Sequence, residues 1–156
     1  MSLKNCKVIL VPVDFSPDSV EAAKQSLILA KGVGCDLVLL HVVHDPSEAP
    51  GFYHKKKAGE LVVRKMTEAA EEMMSEFIQQ NGLKEKAEAA GVSLSVRLVR
   101  GLPTAQILHT AKKQKASLIV MGSSGRTGLA HLLLGSTAER IVHLASIPVM
   151  VVKSKK

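Results

Sequence analysis

Tryptophan is absent, tyrosine occurs once and phenylalanine three times in 156 residues. Phe15, Phe52, Tyr53 and Phe77 do not alternate with basic residues, so the stacking series of a single-stranded nucleic-acid binder is missing. Cysteine is also scarce. Cys6 and Cys35 are too few for a disulfide scaffold, and read as isolated thiols they fit a reducing compartment. The uncharged stretch 141–152 is interrupted by His143, Ser146 and Pro148 and is shorter than the roughly 20 apolar residues that span a bilayer. Met1-Ser2-Leu3-Lys4 leads into no secretory apolar region, and a cytoplasmic location with no membrane partner is expected. Acidic residues are nearly missing from one part of the chain. Residues 1–90 hold 11 basic and 13 acidic groups (net −2), and residues 91–156 hold 10 and 1 (net +9). The second part should attract anions, and the lack of aromatics favours a small phosphorylated ligand over nucleic acid.

The 46% apolar composition suffices for the core of one domain. The run from Lys7 to Val13 is too continuously apolar and β-branched for a strand with one wet face, so it predicts a buried strand. Ser16-Pro17-Asp18 predicts an N-cap with proline at the first helical position. Val20, Ala23, Leu27 and Ala30 then form the apolar stripe of a helix ended by Gly32 or Gly34. A second strand is expected over 36–43. Segment 44–58, with three lysines and two prolines, is a candidate mobile loop. A long helix from about Gly59 should bury Val62, Met66, Ala69, Met73 and Phe77. Asn81-Gly82 breaks it, a short helix follows over 83–90, and Gly91 precedes a third strand over 92–99. Ile107, Leu108 and Ala111 mark the next helix, then a strand over 117–121, a glycine-rich loop, a helix from about Ser136 and a strand over 148–152. Alternation of this kind predicts an α/β fold, a mostly parallel sheet covered on both faces. With strand order 3-2-1-4-5 the first and fourth strands meet where the winding reverses, and ligands bind beyond the carboxyl ends of the strands at that point.

Those ends are Pro12-Val13-Asp14 and Val120-Met121-Gly122. The loop Gly122-Ser123-Ser124-Gly125-Arg126, followed by Gly135-Ser136-Thr137, lies between a strand and a helix. Its glycines let backbone N–H groups approach a ligand, and the helix start adds partial positive charge that favours phosphate. Arg126 would add charge-assisted bonds. Neither the P-loop spacing nor the dinucleotide fingerprint is present, and no hydrolase nucleophile elbow fits; Ser123 and Ser124 read as hydrogen-bond donors. His41 and His44 fall on opposite faces of a strand and read as packing or surface residues, with no metal cluster around them. Met66, Met73 and Met74 read as core filling, and residues 153–156 as a solvated tail.

Gly122, Gly125, Gly135 and Ser136 match the spacing G-x2-G-x9-G-[ST]. Together with Val11-Pro12-Val13-Asp14-Phe15-Ser16, Leu39-Leu40-His41-Val42-Val43 and the closing Ile147–Val152 run, they make the chain resemble the universal stress protein family. The resemblance spans nearly the whole chain. It implies one UspA-like domain over 4–153, a three-layer α/β/α sandwich of the adenine nucleotide alpha hydrolase-like kind around a five-stranded parallel sheet. In the ATP-binding branch it implies that Pro12, Val13, Asp14 and Val42 border the adenine and ribose, that Met121 and Gly122 continue that wall, and that Ser124, Gly125, Arg126, Gly135, Ser136 and Thr137 surround the phosphates. It also implies a homodimer through the C-terminal strand, whose apolar edge would otherwise be open. Read from the residues alone, Asp14 fits helix capping as well as ribose contact. The expected function is an ATP-binding regulatory module of the stress response, with Mg²⁺ entering on the triphosphate and an unidentified protein partner. The alternatives are a slow ATPase or phosphotransferase at the same loop and a dimeric interaction protein that binds no nucleotide.

Overall fold

The computed structural model describes residues 6–45, 56–124 and 134–154, with the backbone alone for 56–60. Five apolar runs form the strands β1 (Val8–Pro12), β2 (Asp36–His44), β3 (Leu94–Gly101), β4 (Leu118–Gly122) and β5 (Val149–Val152). The connecting helices are α1 (Pro17–Val33), α2 (Lys56–Gln80), α3 (Leu83–Ala90), α4 (Pro103–Lys113) and α5 (Ser136–Leu144). Every pairing is parallel and the order is β3-β2-β1-β4-β5, the order expected above.

Side-chain alternation along the strands divides the core into two layers. Ile9, Val11, Leu37, Leu39 and Val120 pack with Ala23 and Leu27 of α1, Met74 and Phe77 of α2, and Leu83 and Ala87 of α3. Leu10, Val38, Leu40, Ile119 and Met121 pack with Ile107 and Ala111 of α4 and Ala138 and Ile141 of α5. Crossovers from β1 to β2 and β3 therefore cover one face, and those leading to β4 and β5 cover the other. β1 and β4 lie side by side at the reversal.

Local signals set most boundaries. The Ser16 side chain accepts from the Ser19 N–H at 3.2 Å and Pro17 opens α1. Gly34, at φ +71°, ends that helix with its N–H on the Ala30 carbonyl, which decides between the two glycines. β3 starts two residues later than expected because Val92 still donates to Ala87 in the turn that closes α3. Helix α2 departs further. Its buried positions are Ala70, Met74 and Phe77, while Val62 is 57% and Met66 42% exposed. At Ala70 and Met74 the inward stripe is thus one position on from the expected series, which it rejoins at Phe77. Most of segment 44–58, residues 46–55, lies outside the described residues.

The cysteines are not isolated thiols. Cys6 and Cys35 form a disulfide with Cα atoms 5.5 Å apart. Each stands just before one of two neighbouring parallel strands, and Asp36 N–H bonds the Lys7 carbonyl at 2.9 Å beside them. Sequence separation of 29 residues conceals this adjacency, which follows from sheet order alone. The argument for a reducing compartment from unpaired thiols therefore falls away.

Candidate functional site

The β1–β2 ladder continues to Pro12↔Leu40, whereas the β1–β4 ladder stops at Leu10↔Ile119. Val13 N–H donates to Leu40 on the β2 side, so by alternation Pro12 faces β4, where it has no N–H to offer. The two central strands part there. Between their carboxyl ends lies a cavity of about 320 Å³, within the size range of small-molecule sites.

Ten of the expected residues line it: Pro12, Val13, Asp14, Val42, Met121, Gly122, Ser124, Gly135, Ser136 and Thr137. Gly125 and Arg126 lie outside the described residues. Ser19, Leu40, His41, Pro103, Ile107, Ser123 and Ala138, which are not among the expected ligand contacts, also contribute. Pro103 and Ile107 belong to α4, which reaches the crevice only through the crossover. Its residues carry no local mark of that position. Pro12, Leu40, Val42, Ile107 and Met121 give the cavity apolar walls, and the serines, Thr137 and Asp14 give it a polar end.

The chain leaves β1 through a sharp turn. Asp14 Oδ1 accepts from the Ser16 N–H at 3.0 Å and from the Ser16 hydroxyl at 2.5 Å. Asp14 therefore orients the capping residue and does not cap α1 itself. Both of these bonds fall on one oxygen. Between them Phe15 adopts φ +65°, a left-handed conformation that costs a non-glycine residue about 1–3 kcal/mol. Its ring lies 4.5 Å from that of His41 and 5.9 Å, edge-on, from that of Phe77. Those contacts hold the turn in place. His41 Nδ1 lies 2.7 Å from the Val13 carbonyl; a carbonyl only accepts, so Nδ1 carries the proton. His41 thus packs within the site's supporting structure.

Behind the polar end sits Asp18, 5% exposed. Its Oδ2 accepts from Ser123 Oγ at 2.7 Å, Ser124 N–H at 3.1 Å and Ser124 Oγ at 2.7 Å. Its Oδ1 accepts from Ser154 N–H at 2.9 Å and Ser154 Oγ at 2.6 Å. Burial alone pushes this carboxyl up, but the donors of Ser154, Ser123 and Ser124 outweigh it and hold the group well below the usual carboxylate range. Ser154 is accordingly pinned, not part of a solvated tail. Ser124 gives its one hydroxyl proton to Asp18, so toward the cavity its oxygen offers lone pairs and not the donor expected of it. Asp18 was missed because it reads as an ordinary first-turn acid of α1; its serine partners are 105 to 136 residues away.

Gly122 has a packing reason of its own. A Cβ there would meet the Asp18 backbone carbon at 2.9 Å and the Ser19 nitrogen at 3.0 Å, so only glycine lets β4 approach the start of α1 this closely. Next to it, Ser123 N–H bonds Val152 O at 2.8 Å, and Gly135 N–H returns to Ser123 O at 2.8 Å. The two ends of the glycine loop are therefore joined. Helix α5 begins at Ser136 behind Gly135, with no side-chain cap. Its first-turn residues Ser136 and Thr137 line the cavity, and the N–H groups of a helix start suit an anion.

The sequence model of the universal stress protein family matches residues 5–153. Universal stress protein MJ0531 of Methanocaldococcus jannaschii is 37% identical over 156 residues, covering 96% of this chain and 84% of its own. The solved structure of hypothetical protein MJ0577, from the same organism, is 29% identical with a TM-score of 0.79, covering 96% of this chain and 97% of that one. A universal stress protein in complex with cAMP is 21% identical and shares the fold at a TM-score of 0.67, over 96% and 99% of the two chains.

Proposed function

From the premise that this chain belongs to the universal stress protein family, we propose that it binds an adenine nucleotide, ATP with Mg²⁺, and acts as a nucleotide-dependent regulatory module of the stress response in the cytoplasm. One observation carries the reading: the crevice between β1 and β4 gathers an apolar slot and an uncapped helix start into a single cavity. An adenine would lie against Pro12, Val42 and Met121. Ribose would meet Asp14, whose second carboxylate oxygen stays available. The phosphates would take the N–H groups of Ser136 and Thr137, with Gly135, Gly125 and Arg126 around them. Mg²⁺ would be held by phosphate oxygens and water.

Regulation is favoured over turnover by the carboxylates. Asp14 is the one acid among the described cavity residues; its Oδ1 is taken by Ser16 and its Oδ2 is given to the ribose in this reading, so no described carboxylate in the cavity is left to orient an attacking water. The test is to denature purified protein and identify released nucleotide by mass spectrometry, then titrate stripped protein with ATP, AMP and cAMP. ATP in the released fraction, or tight rebinding, is expected. Replacing Gly125 by leucine should abolish ATP binding in a folded protein; unchanged affinity would remove the glycine loop from the site.

The sheet edges support a homodimer. β3, at one edge, carries the exposed Arg97 and Arg100, which oppose pairing. β5, at the other, has neither charge nor proline and exposes Met150, and Val142 and Leu144 are exposed on α5, the helix that leads into it. An isologous pairing of β5 with its copy would cover them. Light scattering should give a dimer for the native chain and a monomer for Met150→Lys.

A further inference from the structure

The two oxygens of the Asp18 carboxylate serve different parts of the chain. Oδ2 holds Ser123 and Ser124, the residues that open the glycine loop, and Oδ1 holds Ser154, two residues beyond the end of β5. Ser154 does not line the cavity, and Ser124 does. A carboxylate is a rigid planar group, so two oxygens that are both engaged fix its rotation. Removing the partners of one oxygen frees the group to turn and loosens those on the other. The surroundings leave little slack, because Gly122 packs directly on the Asp18 backbone and Ser123 is further tied to Val152 and Gly135.

We propose that Asp18 is a positioning residue through which the segment following β5, held at Ser154, sets the position of the Ser123–Ser124 loop base and thereby the affinity of the cavity for its ligand. A protein partner or a modification that pulls Ser154 away would weaken ligand binding without touching the cavity, and a bound ligand would in turn tighten the hold on Ser154, since coupling is reciprocal. The affinity part of this inference rests on the nucleotide-binding reading; the mechanical part does not.

The test is a graded series at Ser154. Ser154→Thr keeps both donors, Ser154→Ala removes the hydroxyl, and Ser154→Pro removes the hydroxyl and the N–H together. Amide hydrogen exchange on the protein without nucleotide should show the Ser124 N–H exchanging as in the native chain for threonine, several-fold faster for alanine and faster again for proline. Amides in α3 should be unchanged, whereas general destabilisation would accelerate those as well. Titration with ATP and Mg²⁺ should weaken in the same order, and Ser154→Ala should have no added effect in an Asp18→Asn background. If the native chain binds no ATP, the nucleotide reading fails while the exchange series still decides the coupling. Ser124 exchange that is the same in the alanine and threonine variants would overturn the proposal, and the alanine variant suffices if the proline variant does not fold.

Discussion

Asp18 is a buried carboxylate with no cation paired to it among the described residues, stabilised instead by five hydrogen bonds from three serines. The folded protein holds this carboxyl as the carboxylate, below the ordinary value of 3.8, so the unfolded chain takes up a proton more readily. The stabilisation is complete above that ordinary value and is lost as pH falls through and below it. Urea unfolding between about pH 5 and pH 2 should show a steeper loss of stability for the native chain than for Asp18→Asn, which has no carboxyl to titrate. Equal slopes would place the acid sensitivity elsewhere. Residues such as Pro12, Asp14 and Gly135 were legible because they sit at the ends of elements whose order the apolar runs reveal. Asp18 and Ser154 were not, since their roles arise only when α1, β4 and β5 converge. Gly122 was legible as a glycine needing close approach, but the approaching group is the Asp18 backbone.

At the scale of elements, α2 shows how little separates two registers. Val62, Met66, Ala69, Met73 and Phe77 recur at the helical spacing, and so do Val63, Thr67, Ala70, Met74 and Phe77. Both series share Phe77, so periodicity alone does not choose between them; the burial of Ala70 and Met74, with Met74 in the core beneath the sheet, does. The strands were read more securely because a run buried on both faces has no alternative register to confuse. Met74→Ala should therefore cost about 2–5 kcal/mol in chemical unfolding, and Met66→Ala, on the exposed side, within about 0.5 kcal/mol. The reverse order would restore the first stripe. The same α2 face leaves Leu61, Val62 and Met66 in contact with solvent.

For the whole molecule, the Cys6–Cys35 bond closes a segment with a sequence separation of 29 residues, comprising β1, the first turn of the site and α1. Closing a loop of that length removes roughly 3–4 kcal/mol of unfolded-chain entropy. Thermal unfolding with and without a reductant should differ by on the order of 10 °C, and Cys35→Ser should behave like the reduced protein. The sheet order also has a bearing on synthesis. β1, β2 and β3 pair with their sequence neighbours and can assemble while the rest of the chain is still being made, but the inner edge of β1 waits for residue 118 and beyond. Because Pro12, Leu40 and Val42 come from the first half and Met121, Gly135 and Ser136 from the second, a ribosome-bound or truncated chain has only one wall of the cavity. The cavity is therefore a late feature of the nascent chain, and any molecule that binds in it can stabilise only those copies that have completed the second half.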